Sequence, residues 1–158
     1  GDDIVKINYF RGEFKTGGIT IEDFNGEPFG KASLSFDISG KKLRNKVVFE
    51  NGIPTIYTDI KFTVTLSEVE QEDEQFNKDV DLYNVTKNET SQIEKQIKRE
   101  MAEALEIMRE AKTDVANFYT LMYNTDKKSF KRFLDSLDDK EDYLRYTLFK
   151  TSVRVHSK

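Results

Sequence analysis

Chemistry that needs a histidine has one candidate in this chain, His156. A serine hydrolase uses a histidine to take the proton of its nucleophile, and a histidine metal site needs other ligands that converge with it. His156 lies on the polar side of an alternating apolar pattern near the end of the sequence, so we expect it to be exposed to solvent. The chain contains no cysteine, which excludes disulfides, thiolate metal ligands and cysteine nucleophiles.

The 29 acidic residues are the second possible source of chemistry. A glycosidase needs two carboxylates about 5–10 Å apart, one of them with a raised pKa. No acid here lies in a recognisable catalytic motif, so a carboxylate-based hydrolase is kept only as an alternative. The acidic run between Ser67 and Asp81 lacks the alternating ligands and central glycine of an EF-hand loop. A second acidic cluster is interpreted as a capped, solvated link before the last strand, and comprises Asp138, Asp139, Glu141 and Asp142.

Phosphate, nucleic-acid and membrane-spanning functions also lack support. Gly17-Gly18 has no neighbouring Gly-Lys-Ser/Thr and no preceding βα unit, so it predicts a turn and not a phosphate loop. The 25 basic residues are spread among the acids with a net charge of −4, so no basic face is evident for nucleic acid. No segment approaches the roughly 18 apolar residues of a membrane span. We therefore assign no catalytic, cofactor or metal residue and expect a non-catalytic binding domain.

Residues 1–66 are predicted to be mainly strands, because apolar residues recur at every second position between turn-forming residues. The first such pattern is Val5, Ile7 and Tyr9. Residues 32–38 follow as a strand with one dry face, made by Ala32, Leu34, Phe36 and Ile38. A turn is predicted at residues 39–42 and a hairpin at Asn51-Gly52. The clearest strand then places on one face Ile56, Ile60, Phe62, Val64 and Leu66.

Residues 67–90 are predicted to be an acidic surface connector, and residues 91–145 to be helical. Ser91 and Glu94 have capping-box spacing, and apolar residues then recur at intervals of three and four residues. Met101 and Met108 belong to this stripe; they could face a partner, but a core position under a sheet is the favoured interpretation. The apolar stripe continues through Val115, Phe118, Tyr119 and Met122 and stops at Asn124-Thr125-Asp126. A second, shorter helix is then indicated by Phe130, Phe133, Leu134 and Leu137.

Residues 147–156 complete the chain as a final strand, with Phe149, Val153 and Val155 on one side. Strands followed by helices and a last strand predict an α+β fold. We expect an antiparallel β-sheet covered on one face by a long α-helix and a second shorter helix, within a single domain of residues 1–158.

Several of these segments resemble the C-terminal domain of the Ger(x)C proteins, the lipoprotein subunits of spore germinant receptors. The strand at residues 56–68 is similar to the family's alternating strand ending in Leu-x-Glu. The helix at residues 93–112, the sequence Lys112-Thr113-Asp114, the aromatic Phe118 and the closing strand Val153-Arg154-Val155 follow the family's order. The resemblance covers residues 31–158.

The resemblance implies a role in nutrient-triggered germination without catalysis. The partners it implies are the integral membrane subunits of the same receptor, with no cofactor and no nucleic acid. It also implies that this chain is the C-terminal part of a longer exported protein, held on the outer face of the spore inner membrane by an upstream lipid anchor. An unrelated exported binding or adhesion domain of a Gram-positive surface protein is the alternative. The oligomeric state is left open.

Overall fold

The computed structural model describes residues 8–10, 17–26, 30–71 and 87–157. These residues form an α+β fold, as predicted. The predicted strand at Val5 and Ile7 falls outside the described residues, and Tyr9 lies in a short 3₁₀ helix. In chain order the elements are that 3₁₀ helix (Asn8–Phe10), β1 (Gly17–Gly26), β2 (Gly30–Glu50), β3 (Ile53–Gln71), α1 (Lys87–Ala111), α2 (Phe118–Thr125), α3 (Lys127–Asp135), a second 3₁₀ helix (Lys140–Asp142), α4 (Tyr143–Tyr146) and β4 (Leu148–Ser157).

The four strands form one sheet in the order β1-β2-β3-β4. β1 and β2 are antiparallel, with Ile19 opposite Phe36. The predicted hairpin is confirmed at Asn51-Gly52, whose φ angles of 54° and 79° suit a two-residue turn. That turn makes β2 and β3 antiparallel as well. Because the sheet as a whole is mixed, β4 must run parallel to β3.

The direction of β4 is a difference from the expected antiparallel sheet. Lys150, near the start of β4, places its Nζ 5.7 Å from the ring centroid of Tyr57, near the start of β3, which fits parallel strands. A parallel neighbour needs a crossover connection, and the chain between β3 and β4 contains the helices that supply it. The strand at the end of the chain is predicted correctly from its alternating pattern. Alternation does not indicate whether the neighbouring strand is parallel or antiparallel.

The turn predicted at residues 39–42 is wrong, because β2 continues through it. The buried positions of β2 are even-numbered up to Ile38, whereas the next buried residue, Val47, is odd-numbered. Such a change of face needs one extra residue in the strand, as in a β-bulge. Gly40 lies where the change occurs, so this glycine marks an irregular strand and not the end of one. The turn predicted at Gly17-Gly18 is also wrong, because these two glycines are the first residues of β1.

The long helix α1 begins at Lys87, earlier than the predicted capping box. Ser91 is inside the helix, and the Glu94 carboxylate accepts a hydrogen bond from the Val155 backbone N–H at 2.9 Å. The start of the predicted acidic connector is strand, because β3 extends to Gln71, and residues 72–86 lie outside the described part. The predicted apolar stripe is buried and comprises Ile93, Ile97, Met101, Ala104, Leu105 and Met108.

α1 ends at Ala111, where the apolar stripe had predicted that the helix would continue. Lys112 adopts the left-handed conformation with φ 51°, and the Thr113 N–H bonds to the Met108 carbonyl at 3.0 Å. A left-handed residue directly after the last helical turn is a common way to end a helix. A turn then leads to the separate helix α2, and Asp126 caps α3 by accepting a hydrogen bond from the Ser129 N–H at 3.0 Å.

The chain divides into two compact units. The first comprises Gly1–Glu13, Leu43–Ile60 and Lys98–Ser152, and its buried side chains include Ile56, Ile60, Met101, Phe118 and Phe130. The second comprises Phe14–Lys42, Lys61–Ile97 and Val153–Lys158, with Leu34, Phe36, Phe62 and Ile93 among its buried side chains. Within the second unit, the Gln96 side-chain amide donates to the Thr20 carbonyl of β1 at 2.9 Å, which ties α1 to the sheet.

Candidate docking surface

The turn between α1 and α2 is held by the carboxylate of Asp114. Its Oδ1 accepts the Phe118 N–H at 2.9 Å, and its Oδ2 accepts the Tyr119 N–H at 2.7 Å. The same Oδ2 accepts the Tyr143 hydroxyl at 2.6 Å. The residue directly before α2, Asn117, is left-handed with φ 60° and gives the helix no side-chain cap. Asp114 therefore does the work of the helix cap from three residues further back.

The three residues that bond to this carboxylate carry aromatic rings, and these rings pack against others. Phe118 makes edge-to-face contacts with Phe10, at a centroid distance of 5.8 Å, and with Phe149, at 5.2 Å. Tyr119 makes similar contacts with Phe130 at 4.8 Å and Tyr143 at 5.5 Å. Burial, followed by the hydrogen bond to Asp114, raises the pKa of Tyr143, so its hydroxyl stays protonated as a donor. These hydrogen bonds and ring contacts fix the orientation of the turn and of α2. None of the groups involved is a nucleophile.

Arg109 ties the end of α1 to the start of β4. Its Nε donates to the Leu144 carbonyl and one terminal nitrogen donates to the Thr147 carbonyl, both at 3.0 Å. The guanidinium carbon also lies 5.4 Å from the centroid of the Phe149 ring. Because these bonds satisfy carbonyls at the end of α4, they fix where β4 begins. The residue types alone did not indicate this role.

Beside this anchored region lies a group of exposed apolar side chains, which we call the apolar edge patch. It consists of Ile53, Tyr146 and Leu148, whose side chains are 44%, 53% and 54% exposed. Ile53 and Leu148 are the first residues of two neighbouring parallel strands, so they lie at the same edge of the sheet. Tyr146 comes two residues before Leu148.

Strand alternation places Ile53 and Leu148 on the same face of the sheet. Ile53 shares its side of β3 with Tyr57, and Leu148 shares its side of β4 with Lys150. Since Lys150 contacts the ring of Tyr57, all four side chains are on one face. Large apolar side chains grouped at an exposed edge are typical of a protein contact surface.

The family model described as "Spore germination B3/GerAC like, C-terminal" matches residues 1–156. The chain belongs to this family. The family of spore germination proteins is thus the one that the sequence resemblance indicated. Two residues that carried the resemblance, Asp114 and Phe118, are joined by a hydrogen bond in the structure.

Among solved structures, one described as "Crystal Structure of the GerBC protein" is similar to this member of the GerAC-like family. It superposes with a TM-score of 0.74 at 18% sequence identity, covering 99% of this chain and 45% of the GerBC chain. The likeness shows a shared fold. The chain thus spans less than half the length of GerBC. A search of curated proteins found no match.

The structure places the other residues considered from the sequence as follows. His156 is exposed in β4, and Met101 and Met108 are buried in the stripe of α1, as expected. In the acidic cluster before β4, Asp139 caps the second 3₁₀ helix by accepting the Glu141 N–H at 3.0 Å. Asp139 also pairs with Lys112 at 2.6 Å, which confirms a capped, solvated link.

Within the described ranges, no three histidine, cysteine or acidic side chains are grouped as a metal site would require. The helices of those ranges include none with the length and apolar character needed to cross a bilayer.

Proposed function

We propose that this chain is a non-catalytic domain of a spore germinant receptor C subunit, which contributes to nutrient-triggered germination by docking to protein partners. The observation that carries the proposal is the family match over residues 1–156. The partners we propose are the integral membrane subunits of the same receptor.

The chemistry of the described acids supports a non-catalytic role. A hydrolase needs a carboxyl group whose pKa is raised, so that it can donate a proton near neutral pH. Two of the exposed acids shift the other way: hydrogen bonds from Ser129 lower the pKa of Asp126, and the Lys112 side chain lowers the pKa of Asp139. Both carboxylates cap helices and pair with neighbours, which are structural tasks.

We also propose that the chain forms one domain of a longer lipoprotein, as the C-terminal part. A lipid-modified cysteine upstream would hold that protein on the outer face of the spore inner membrane. The family description, which specifies a C-terminal region, supports this arrangement. The match to 45% of GerBC is consistent with a larger whole.

The apolar edge patch is the surface that we propose for docking. Interface cores are enriched in aromatic and large apolar side chains and depleted of charge, and a few such anchors supply most of the binding energy. Ile53, Tyr146 and Leu148 provide three anchors with about half of each side chain already exposed. They lie at the starts of β3 and β4 and the end of α4, which Arg109 holds in place, so little ordering is needed on binding.

The test compares two double variants of the full C subunit that add the same charge to the same two strands. Ile53→Asp with Leu148→Asp places two carboxylates in the apolar edge patch. Thr65→Asp with Ser152→Asp places two at other exposed positions of β3 and β4. The membrane subunits are then co-purified with each variant in detergent, and spores carrying each variant are exposed to nutrient.

We expect the patch variant to lose at least tenfold in recovered membrane subunits, since a buried unpaired charge costs more than 1.4 kcal/mol, or about a factor of ten. Its spores should respond poorly to nutrient while the control variant behaves as the parent. Equal recovery and equal germination of the two variants would contradict docking through this patch. Full germination of spores that lack the domain would contradict the function itself.

A further inference from the structure

One surface of the first unit carries a concentration of positive charge. α3 carries four basic residues, Lys127, Lys128, Lys131 and Arg132, which we call the basic face; all four are exposed. At 100° per residue these positions fall within about 140° of the helix circumference. Phe130 and Phe133 lie on the opposite side and are buried. Packing of those two rings therefore holds the four cations toward solvent.

The acids within and beside α3 are already engaged. Asp126 accepts both the N–H and the hydroxyl of Ser129, at 3.0 and 2.8 Å. Asp135 pairs with Lys140 at 2.9 Å. Within the described residues, none of the four cations of the basic face forms a salt bridge. The helix thus presents a concentrated positive surface on a chain whose net charge is −4.

Exposed tyrosines border the basic face. Tyr123 is 36% exposed and Tyr119, one helical turn earlier, is 43% exposed. The Lys127 Nζ lies 5.3 Å from the centroid of the Tyr123 ring. A hydrogen bond from Lys127, with the charges of Lys127 and Lys131, lowers the pKa of Tyr123, which places those two lysines on the same side as the ring. Tyrosine beside lysine is the composition of side chains found at a membrane–water interface.

We propose that the basic face of α3 binds the surface of an anionic phospholipid bilayer. Three of the four cations are lysines, which act as point charges on flexible stems and suit a plane of mobile phosphates. An acidic protein segment would be recognised better by a groove or by paired arginine forks. The basic face is the outer side of one helix, which can lie flat on a plane. This inference goes beyond the proposed docking function and does not depend on it.

The test measures co-sedimentation of the chain with lipid vesicles. One set contains phosphatidylcholine mixed with phosphatidylglycerol, and the other contains phosphatidylcholine alone. At about 0.1 M salt the Debye length is about 10 Å, so acids elsewhere on the chain are largely screened while the helix at the surface is not. We expect binding to the anionic vesicles only, weakening as salt is added.

Two charge-matched variants decide whether α3 is responsible. Lys128→Gln with Lys131→Gln removes two cations of the basic face, and Lys95→Gln with Lys98→Gln removes two exposed cations of α1. Each cation near an anionic surface strengthens binding about fivefold, so the α3 variant should bind about 25-fold more weakly and the α1 variant should bind as the parent does. An equal loss in both variants would overturn the proposal, as would the absence of binding to anionic vesicles.

A third arm separates a lipid from a protein partner. Poly-glutamate is added as a soluble acidic polymer, and its binding to the parent chain is measured under the same conditions. Binding to poly-glutamate that depends on Lys128 and Lys131, without binding to vesicles, would assign the basic face to an acidic protein and overturn the lipid proposal. Circular dichroism of each variant confirms that any loss of binding is not a loss of folding.

Discussion

Two aspartates cap neighbouring helices in this protein by different means. Asp126 lies directly before α3 and accepts two hydrogen bonds from Ser129, three residues later. Asp114 lies three residues before the usual cap position of α2 and takes bonds from Phe118, Tyr119 and the distant Tyr143. Asp126 is exposed, whereas Asp114 is half-buried. The first cap is a local device, and the second exists only because the tertiary fold brings Tyr143 to it.

The largest effect that we expect from breaking this comparison is at Asp114. Asp114→Ala leaves two backbone N–H groups and the Tyr143 hydroxyl without their acceptor, at a half-buried site. We expect the free energy of unfolding to fall by about 3 kcal/mol, from the lost cap and a charge-assisted hydrogen bond together. Urea denaturation followed by circular dichroism measures it, and Asp126→Ala is the matched control. A loss no greater than that of Asp126→Ala would show that the distant contact adds nothing.

A smaller effect should follow when only the distant contact is removed. Tyr143→Phe keeps the ring contacts with Tyr119 and Phe130 but deletes the hydroxyl that bonds to Asp114. We expect a loss of about 1 kcal/mol in the free energy of unfolding. In a double-mutant cycle with Asp114→Ala, the two losses should not add, because both remove the same bond. Additive losses would mean that the Tyr143 hydroxyl contributes to stability independently of Asp114.

The smallest effect should be at Asp126, and it should depend on pH. Hydrogen bonds from Ser129 lower the pKa of Asp126 in the folded protein. The stability that this carboxylate adds is present above its unfolded pKa of about 4 and is lost as the pH falls through the lowered folded value. The melting temperature of Asp126→Asn should therefore lie below that of the parent at neutral pH and converge with it in acid. A difference that persists unchanged in acid would contradict a role for the charge.

The two caps also show how far sequence reasoning could go. An Asp directly before an apolar helical pattern is a local signal of a helix start, and the sequence predicts the second helical pattern at that place. The stripe of α1 had been extended through Val115 and Phe118, because apolar spacing continues across the break. The break depends on the left-handed residues Lys112 and Asn117, neither of which is a glycine. Lysine gives no signal of this conformation, and a lone asparagine such as Asn117 is too weak a signal by itself.

Similar limits apply at other sites of the fold. Asn51-Gly52 was read correctly, because both residue types favour positive φ and the signal is complete within the turn. The sequence predicts a turn at Gly40, but β2 continues through it. Pairing with the neighbouring strands overrides the preference of glycine for turns. Glu94 is predicted to belong to a capping box, but its carboxylate accepts a hydrogen bond from the backbone N–H of Val155 in β4. In each wrong case the deciding partner is far away along the chain.

The sequence by itself determined which side of each strand and helix is apolar, because side-chain periodicity follows from the geometry of one chain segment. The buried faces of β3 and α1 follow directly from that rule. Only the tertiary structure decided that β4 runs parallel to β3 and that Tyr143 meets Asp114. These features depend on which distant segments pack against each other, and that choice is made by the free energy of the whole fold.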